Sequence, residues 1–236
     1  MDDEFRGRRV MIVGADEGLG PATVAAFARR GARMVLDAAS PPAGAVGVPV
    51  DFSSGSSIRA FFERGHAELG GLDIFIAAAR PVSTGAILDQ SEEQIRRVVD
   101  QELVGVMLCL QEAARRMIPN GAGRIISFAS MSGKTGVHTG VGPYAAAKGG
   151  LITFSRVLAA ELAPKGVTVN VIATALFEPQ VASMDEKHRS ELAQAIPVRR
   201  FGKPDEAVHA VLYLASDAAG YVTGETLNLS GGRFMD

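Results

Sequence analysis

Apolar residues along this chain follow two alternating periods. Short apolar, β-branched runs at 10–13, 34–36, 46–50, 74–78, 124–128, 167–172 and 226–229 read as strands. Between them lie longer stretches with apolar residues at helical spacing, at 21–30, 58–69, 92–117, 144–163 and 204–215. Strand and helix in alternation impose right-handed crossovers. The pattern therefore predicts an α/β, doubly wound Rossmann-type fold with a seven-stranded parallel sheet and helices on both faces. In such sheets ligands bind beyond the carboxyl ends of the strands, where strand order reverses. The loops just after the strands are thus where chemistry is expected.

Composition narrows the class. A chain of 236 residues fits a single dinucleotide-binding and catalytic domain spanning 1–236, with a substrate-cover segment at about 177–200 that mixes apolar and charged residues. The formal charge is -2 and its signs are interspersed, which leaves no basic stripe for nucleic acid. Cys109 is the only cysteine, so an intrachain disulfide is excluded and a reducing compartment is expected. The acidic start, Met1 to Arg6, lacks the basic and apolar regions of a signal peptide, and no apolar run approaches the ~20 residues that span a bilayer. The expectation is a cytoplasmic protein with no membrane partner. The four histidines are scattered without ligand spacing, so no metal is expected.

Gly14-Ala-Asp-Glu-Gly18-Leu19-Gly20 follows the first strand and opens the first helix. There, backbone N–H groups and the helix dipole can hold a pyrophosphate. Gly14 permits the tight turn, Gly18 lets the backbone approach phosphate, and Gly20 lets the helix pack close to the strand. A bare tight turn is the competing reading. Asp37, at the end of the second strand, stands where an acid usually meets the adenosine ribose. A 2′-phosphate would need a cation, and none lies between Arg33 and Arg59, while Asp16 and Glu17 would repel it. NAD is therefore favoured over NADP as cofactor.

Tyr144-Ala-Ala-Ala-Lys148 puts a phenol and an ammonium one helical turn apart on one face. A phenol with a pKa near ~10 is a poor acid or base at neutral pH, and a cation within ~4–6 Å lowers it. Ser130 follows the fifth apolar run, where its hydroxyl can donate to a substrate oxygen. Ser132 is the alternative, and both serines have a bland reading as loop hydroxyls.

Together these residues resemble the short-chain dehydrogenase/reductase family over essentially the whole chain. The glycine loop, Ser130 with Tyr144 and Lys148, and the segments 196–206 and 221–232 carry the likeness. The resemblance implies that Tyr144 is the general acid/base, that Lys148 lowers its pKa and binds the nicotinamide ribose, and that Ser130 polarises the carbonyl. It implies that Asp51 contacts adenine, that Ala78 lines the cofactor, and that Asn170 is structural. It also implies a homotetramer in which helices such as 92–117 and 144–163 pair across subunits.

Several positions depart from the family pattern. The usual Asn-Asn-Ala-Gly reads Ala77-Ala78-Ala79-Arg80 here, and the relay asparagine of the long middle helix aligns with Glu102. Thr174-Ala175 replaces a Pro-Gly, and Pro179 stands where a threonine often binds the nicotinamide amide. The connection from Asp37 to Asp51 is short and apparently lacks a helix, and the span from Ser130 to Tyr144 is about one residue longer than usual. Two functions are weighed. One is an oxidoreductase interconverting a secondary alcohol and a ketone, a small-molecule substrate of β-ketoacyl or hydroxyacyl type being hinted at by the ending Gly-Gly-Arg-Phe-Met. The other is a catalytically impaired subunit supporting an active paralogue in a mixed oligomer, motivated by the altered cofactor-side motifs.

Overall fold

The computed structural model describes residues 4–79, 82, 84–136 and 138–236. Arg80, whose effect on the cofactor site the sequence raises, lies outside the described residues. In chain order the elements are β1 (Arg9–Val13), α1 (Gly20–Arg29), β2 (Arg33–Leu36), β3 (Ala45–Gly47), α2 (Gly55–Leu69), β4 (Ile74–Ala77), α3 (Glu92–Val99), α4 (Gly105–Met117), β5 (Gly123–Ser130), α5 (Ser132–Thr135), α6 (Gly142–Leu162), β6 (Val167–Thr174), α7 (Glu178–Val181), α8 (Glu186–Gln194), α9 (Pro204–Ala215) and β7 (Thr226–Leu229), with short 3₁₀ turns between some of them. The strands form one seven-stranded sheet in the order β3-β2-β1-β4-β5-β6-β7, and every pair is parallel. Strand order reverses between β1 and β4, so the loops after those two strands flank the switch point.

Alternation along the strands builds two separate cores. Val10, Ile12, Ile74, Ile76, Ile126 and Phe128 face α1 and α9. Met11, Val13, Phe75, Ala77 and Ile125 face the opposite way and pack with Phe61, Phe62, Leu110 and Leu151 from α2, α4 and α6. Successive side chains of a strand point to opposite faces, so an unbroken apolar run fills both layers at once. No described helix is long and apolar enough to cross a membrane.

Of the element boundaries that differ from the sequence expectation, three have a clear local reason. The third strand stops at Gly47 rather than 50. Val48 N–H still donates to the Leu36 carbonyl at 2.9 Å, but Pro49 has no N–H to continue the ladder. The fifth strand runs two residues further than expected because Ala129 and Ser130 stay in register with Ala173 and Thr174 of β6. The long middle helix is not continuous. Between α3 and α4 the chain makes a π turn over Asp100–Val104, in which Gly105 N–H donates to the Asp100 carbonyl. The extra residue in that turn rotates the helix locally and turns Glu102 inward, where it is 7% exposed.

The resemblance expects Asn170 to be structural, and the contacts agree. Its Nδ2 donates to the Val222 carbonyl at 2.8 Å and its Oδ1 accepts from Glu225 N–H at 3.1 Å. One buried amide thus clamps the connection that leads into β7. Asn170→Ala should lower stability by roughly 1–3 kcal/mol, because two partly buried backbone groups lose their partners. Urea unfolding monitored by circular dichroism checks this; a midpoint indistinguishable from the parent would mean that water replaces the amide.

Candidate active site

The glycine loop is built as its spacing requires. Gly14 and Gly18 have φ of 70° and 55°, in the left-handed region. A Cβ on Gly18 would stand 2.5 Å from the Ala79 carbonyl oxygen, and one on Gly20 only 2.1 Å from that of Gly14. The loop is therefore pressed against the end of β4 on one side and its own first turn on the other. Leu19 is buried beneath it, and its carbonyl accepts from Thr23 Oγ1 at 2.9 Å. Asp16 and Glu17 are exposed at its tip.

Asp37 holds this loop in place. Its carboxylate accepts from Gly14 N–H at 3.1 Å and from Val50 N–H at 2.8 Å, tying the turns after β1 and β3 to the end of β2. The sequence reading anticipates an acid at the ribose end of the crevice. It does not anticipate that the same acid would substitute for the missing helix between Asp37 and Asp51 by cross-linking two loops. Asp51 is engaged elsewhere. It accepts from the Ser53 hydroxyl at 2.6 Å and from Ser53 N–H at 2.9 Å, which holds its carboxyl below the usual range at an exposed turn before α2. Ala78 donates its N–H to the Val13 carbonyl at 2.9 Å, so at this position Ala79, the next residue, presents backbone to the glycine loop.

At the other end of the crevice, Ser130 ends β5 while Tyr144 and Lys148 lie on the first turns of α6. Helix α5 packs so tightly on α6 that a Cβ on Gly133 would sit 2.6 Å from Gly149 N and 2.9 Å from Lys148 Cβ. That contact brings strand end and helix together. Tyr144 and Lys148 are 6% and 3% exposed, and Lys148 Nζ lies 5.5 Å from the tyrosine ring centroid. Ser130 Oγ accepts from Ser132 N–H at 3.1 Å, which orients the hydroxyl and gives Ser132 a backbone role.

Lys148 Nζ donates to the Phe128 carbonyl at 3.1 Å and pairs with Glu102 Oε2 at 3.0 Å. Sequence spacing alone points to a phenol made acidic by its lysine, and the structure corrects that reading. Burial raises the Tyr144 pKa above its ordinary value; Lys148 opposes this, Glu102 reinforces it, and a hydrogen bond with Ser130 works against it. Burial is the largest of these effects, and Glu102, the other half of the Lys148 pair, offsets part of the cation's pull on the phenol. Sequence reading places Glu102 at a relay position but misses the ion pair, which depends on the π turn.

Other expected positions fall around this centre. Thr174, at the end of β6, is buried, with its Oγ1 donating to the Ala129 carbonyl at 3.4 Å. Pro179 lies within α7, and the 177–200 segment carries α7 and α8 above the ends of β6 and β7. A cavity of about 200 Å³ lies under it, walled by Phe177, Ile196, Val198, Leu229 and Gly231. His138 and Arg233 were not singled out in the sequence. The Arg233 charge acts on the His138 ring, and no spacing rule connects them.

Comparison with known proteins follows this geometry. The family model described as enoyl-(acyl carrier protein) reductase matches residues 13–233. The chain is a member of the short-chain dehydrogenase/reductase family. It is 33% identical over 242 residues to the 3-oxoacyl-[acyl-carrier-protein] reductase of Escherichia coli strain K12, covering 98% of this chain and 99% of that protein. It is 32% identical over 246 residues to the cis-4-hydroxycyclohexanecarboxylate dehydrogenase of Sinomonas cyclohexanicum, covering 98% of each. Among solved structures, a short-chain dehydrogenase/reductase from Mycobacterium marinum superposes with a TM-score of 0.89 at 30% identity, covering 99% of this chain and 98% of that one. Membership makes the protein a nicotinamide-dependent oxidoreductase acting on CH–OH and C=O groups.

Glu102→Gln removes the negative charge facing the Tyr144–Lys148 pair while keeping an oxygen for Lys148 Nζ. The Tyr144 pKa should fall, since a charge that raises it is gone and the cation that lowers it remains. Ultraviolet titration of tyrosinate, taken as the difference from Tyr144→Phe in the same background, reads this directly. A Tyr144 transition that stays in place or moves to higher pH would show that the carboxylate does not govern the phenol.

Proposed function

We propose that the protein interconverts a secondary alcohol and a ketone, with Tyr144 as general acid/base, Ser130 as the hydrogen-bond donor to the carbonyl oxygen and Lys148 as the cation behind the phenol. The observation that carries this reading is the convergence of the three side chains, from β5 and α6, on one water-poor corner at the carboxyl edge of the sheet. A bound nicotinamide supplies or accepts the hydride at the carbonyl carbon. Tyr144 Oη gives its proton to the ketone oxygen during reduction, or takes the hydroxyl proton during oxidation, so charge does not accumulate on the substrate. Ser130 stabilises the partial negative charge that this oxygen carries in the transition state. Lys148 is held by Glu102 and the Phe128 carbonyl with its ammonium turned toward the phenol.

The cofactor site fits a dinucleotide. Gly14, Gly18 and Gly20 leave room for phosphate where side chains would block it, and Asp37 places a fixed carboxylate at the ribose end. We favour NAD over NADP, because Asp37, Asp16 and Glu17 set negative charge where a 2′-phosphate would lie. Lys148 is assigned to the nicotinamide ribose, Asp51 to the adenine edge and Ala78 to the wall between them.

The relatives' names frame the substrate class. One acts on 3-oxoacyl groups carried by a protein and the other on a ring alcohol that bears a carboxylate. Both are ketone or alcohol substrates with an anionic remainder, and that is the class we assign here, β-ketoacyl compounds among it. We place the enzyme in the cytoplasm, in keeping with its single buried thiol. We also take it to assemble as a homotetramer through the 92–117 stretch and α6, where Val104 of the π turn and Val157 of α6 are exposed at 42% and 55%.

Tyr144→Phe should reduce ketone turnover by about two to four orders of magnitude while NADH affinity changes little, because only the proton-transferring oxygen is removed. Steady-state kinetics with calorimetric NADH titration separates the two effects. Turnover that survives the substitution would remove Tyr144 from the chemistry.

A further inference from the structure

The residues after β7 emerge at the same sheet edge as Ser130. Ser130 is in register with Thr174, and Thr174 with Leu229, so these strand ends stand in a row. Two strand spacings, roughly 10 Å, separate Ser130 from Leu229. Arg233 follows four residues later, and the turn that carries it is fixed by Arg233 N–H donating to the Ser230 carbonyl at 3.2 Å and by Ser230 Oγ donating to the Phe234 carbonyl at 3.0 Å. From the other side comes His138, in the connection that starts at Ser130 and ends at Tyr144. Its Nδ1 lies 3.3 Å from Thr135 Oγ1, and the Arg233 charge acts on its ring.

The neighbouring cation is treated differently. Lys134 is satisfied by Asp236 at 2.6 Å and Asn228 at 2.8 Å, with its ammonium over the Phe234 ring. Arg233 has no such partner among the described residues. Its Nη1 is buried and makes no hydrogen bond. A guanidinium nitrogen shielded from water and left unpaired is costly. His138 brings no counter-charge: burial and the Arg233 charge both hold its ring toward the neutral form, so the guanidinium finds no anion there. Such an arrangement is stabilised by an anion that bridges the two.

We propose that Arg233 and His138 form an anion-binding subsite at the mouth of the crevice, which receives an oxyanion group carried by the substrate at a distance from its reacting carbonyl. The guanidinium fork offers paired N–H donors suited to a carboxylate or a phosphate, and the imidazole supplies a third donor when protonated. This inference rests on the alcohol/ketone reading and adds to it the chemical nature of the remote group. The two sources of that group are a carboxylate on a small keto acid and a phosphate on an acyl thioester.

Two matched pairs of substrates distinguish them. One is a cyclic keto acid against its primary amide; the other is a β-ketoacyl coenzyme A thioester against the phosphate-free N-acetylcysteamine thioester. In Arg233→Gln the preference in kcat/KM for the charged member should fall about ten- to a hundredfold, and Arg233→Lys should recover part of it. Collapse in the first pair assigns a carboxylate, and collapse in the second a phosphate. An unchanged preference in both overturns the proposal. A binding measurement keeps this separate from catalysis: nuclear magnetic resonance of the four histidine rings, with His138 assigned by His138→Gln, during titration with acetate and with inorganic phosphate. Saturable movement of the His138 signal that Arg233→Gln abolishes supports the subsite even if no ketone is turned over. Movement that survives the substitution, or none at all, overturns it.

Discussion

The buried Lys148 ammonium is the constraint around which the rest of the site is arranged. A charge 3% exposed must be paired or well hydrogen-bonded to stay charged, because the effective cost of desolvating an ion in a protein interior is several kcal/mol. Two groups meet that cost: the Phe128 carbonyl from β5 and the Glu102 carboxylate from the π turn between α3 and α4. Strand, middle helix and α6 are therefore locked to one another through a single nitrogen. Removing either charge alone strands the other, which is why such pairs are severe to break even when they add little net stability.

That lock also defines what the phenol feels. A lone lysine beside Tyr144 would favour tyrosinate, but a lysine already held by a carboxylate presents a nearly neutral pair. Burial then decides, and the phenol keeps its proton. A protonated phenol beside an oriented serine hydroxyl is a donor array for an oxygen that gains charge, which suits delivery of a proton to a ketone. The π turn is what makes the pairing geometrically available, since a regular helix over the same residues would turn Glu102 to a different direction.

Much of this was legible in the sequence because it rests on periodicity and on short-range spacing. Seven apolar runs gave seven parallel strands, and the i, i+4 pair of Tyr144 and Lys148 lies on one face of α6 as helical geometry requires. The glycine loop was legible for the same reason: its left-handed turn and close contacts depend on residues within one strand-turn-helix unit. What escaped depends on long-range closure. The pairing of Glu102 with Lys148 spans two helices and an irregular turn. The cross-link from Asp37 to Gly14 and Val50 needs both loops to be placed first. The Arg233 charge reaches His138 only because β5, β6 and β7 end level with one another. Pro49 was visible, yet its effect, ending β3 three residues early, follows from which ladder bond it would have had to donate.

Charge along the crevice is sorted by position, and the sorting matters more than the formal total. Asp16, Glu17 and Asp37 sit around the glycine loop, an ion pair of no net charge occupies the middle, and Arg233 follows the end of β7 with its charge acting on His138. On the subsite proposed above, a substrate whose negative charge lies away from its carbonyl is drawn by Arg233 into one orientation before any close contact forms. The middle has to be neutral for this to work. An unpaired lysine there would draw the anionic end of a substrate into the catalytic corner and compete with the carbonyl for Tyr144 and Ser130. Glu102 thus does two things with one charge: it satisfies the buried ammonium and removes a false target from the centre of the site.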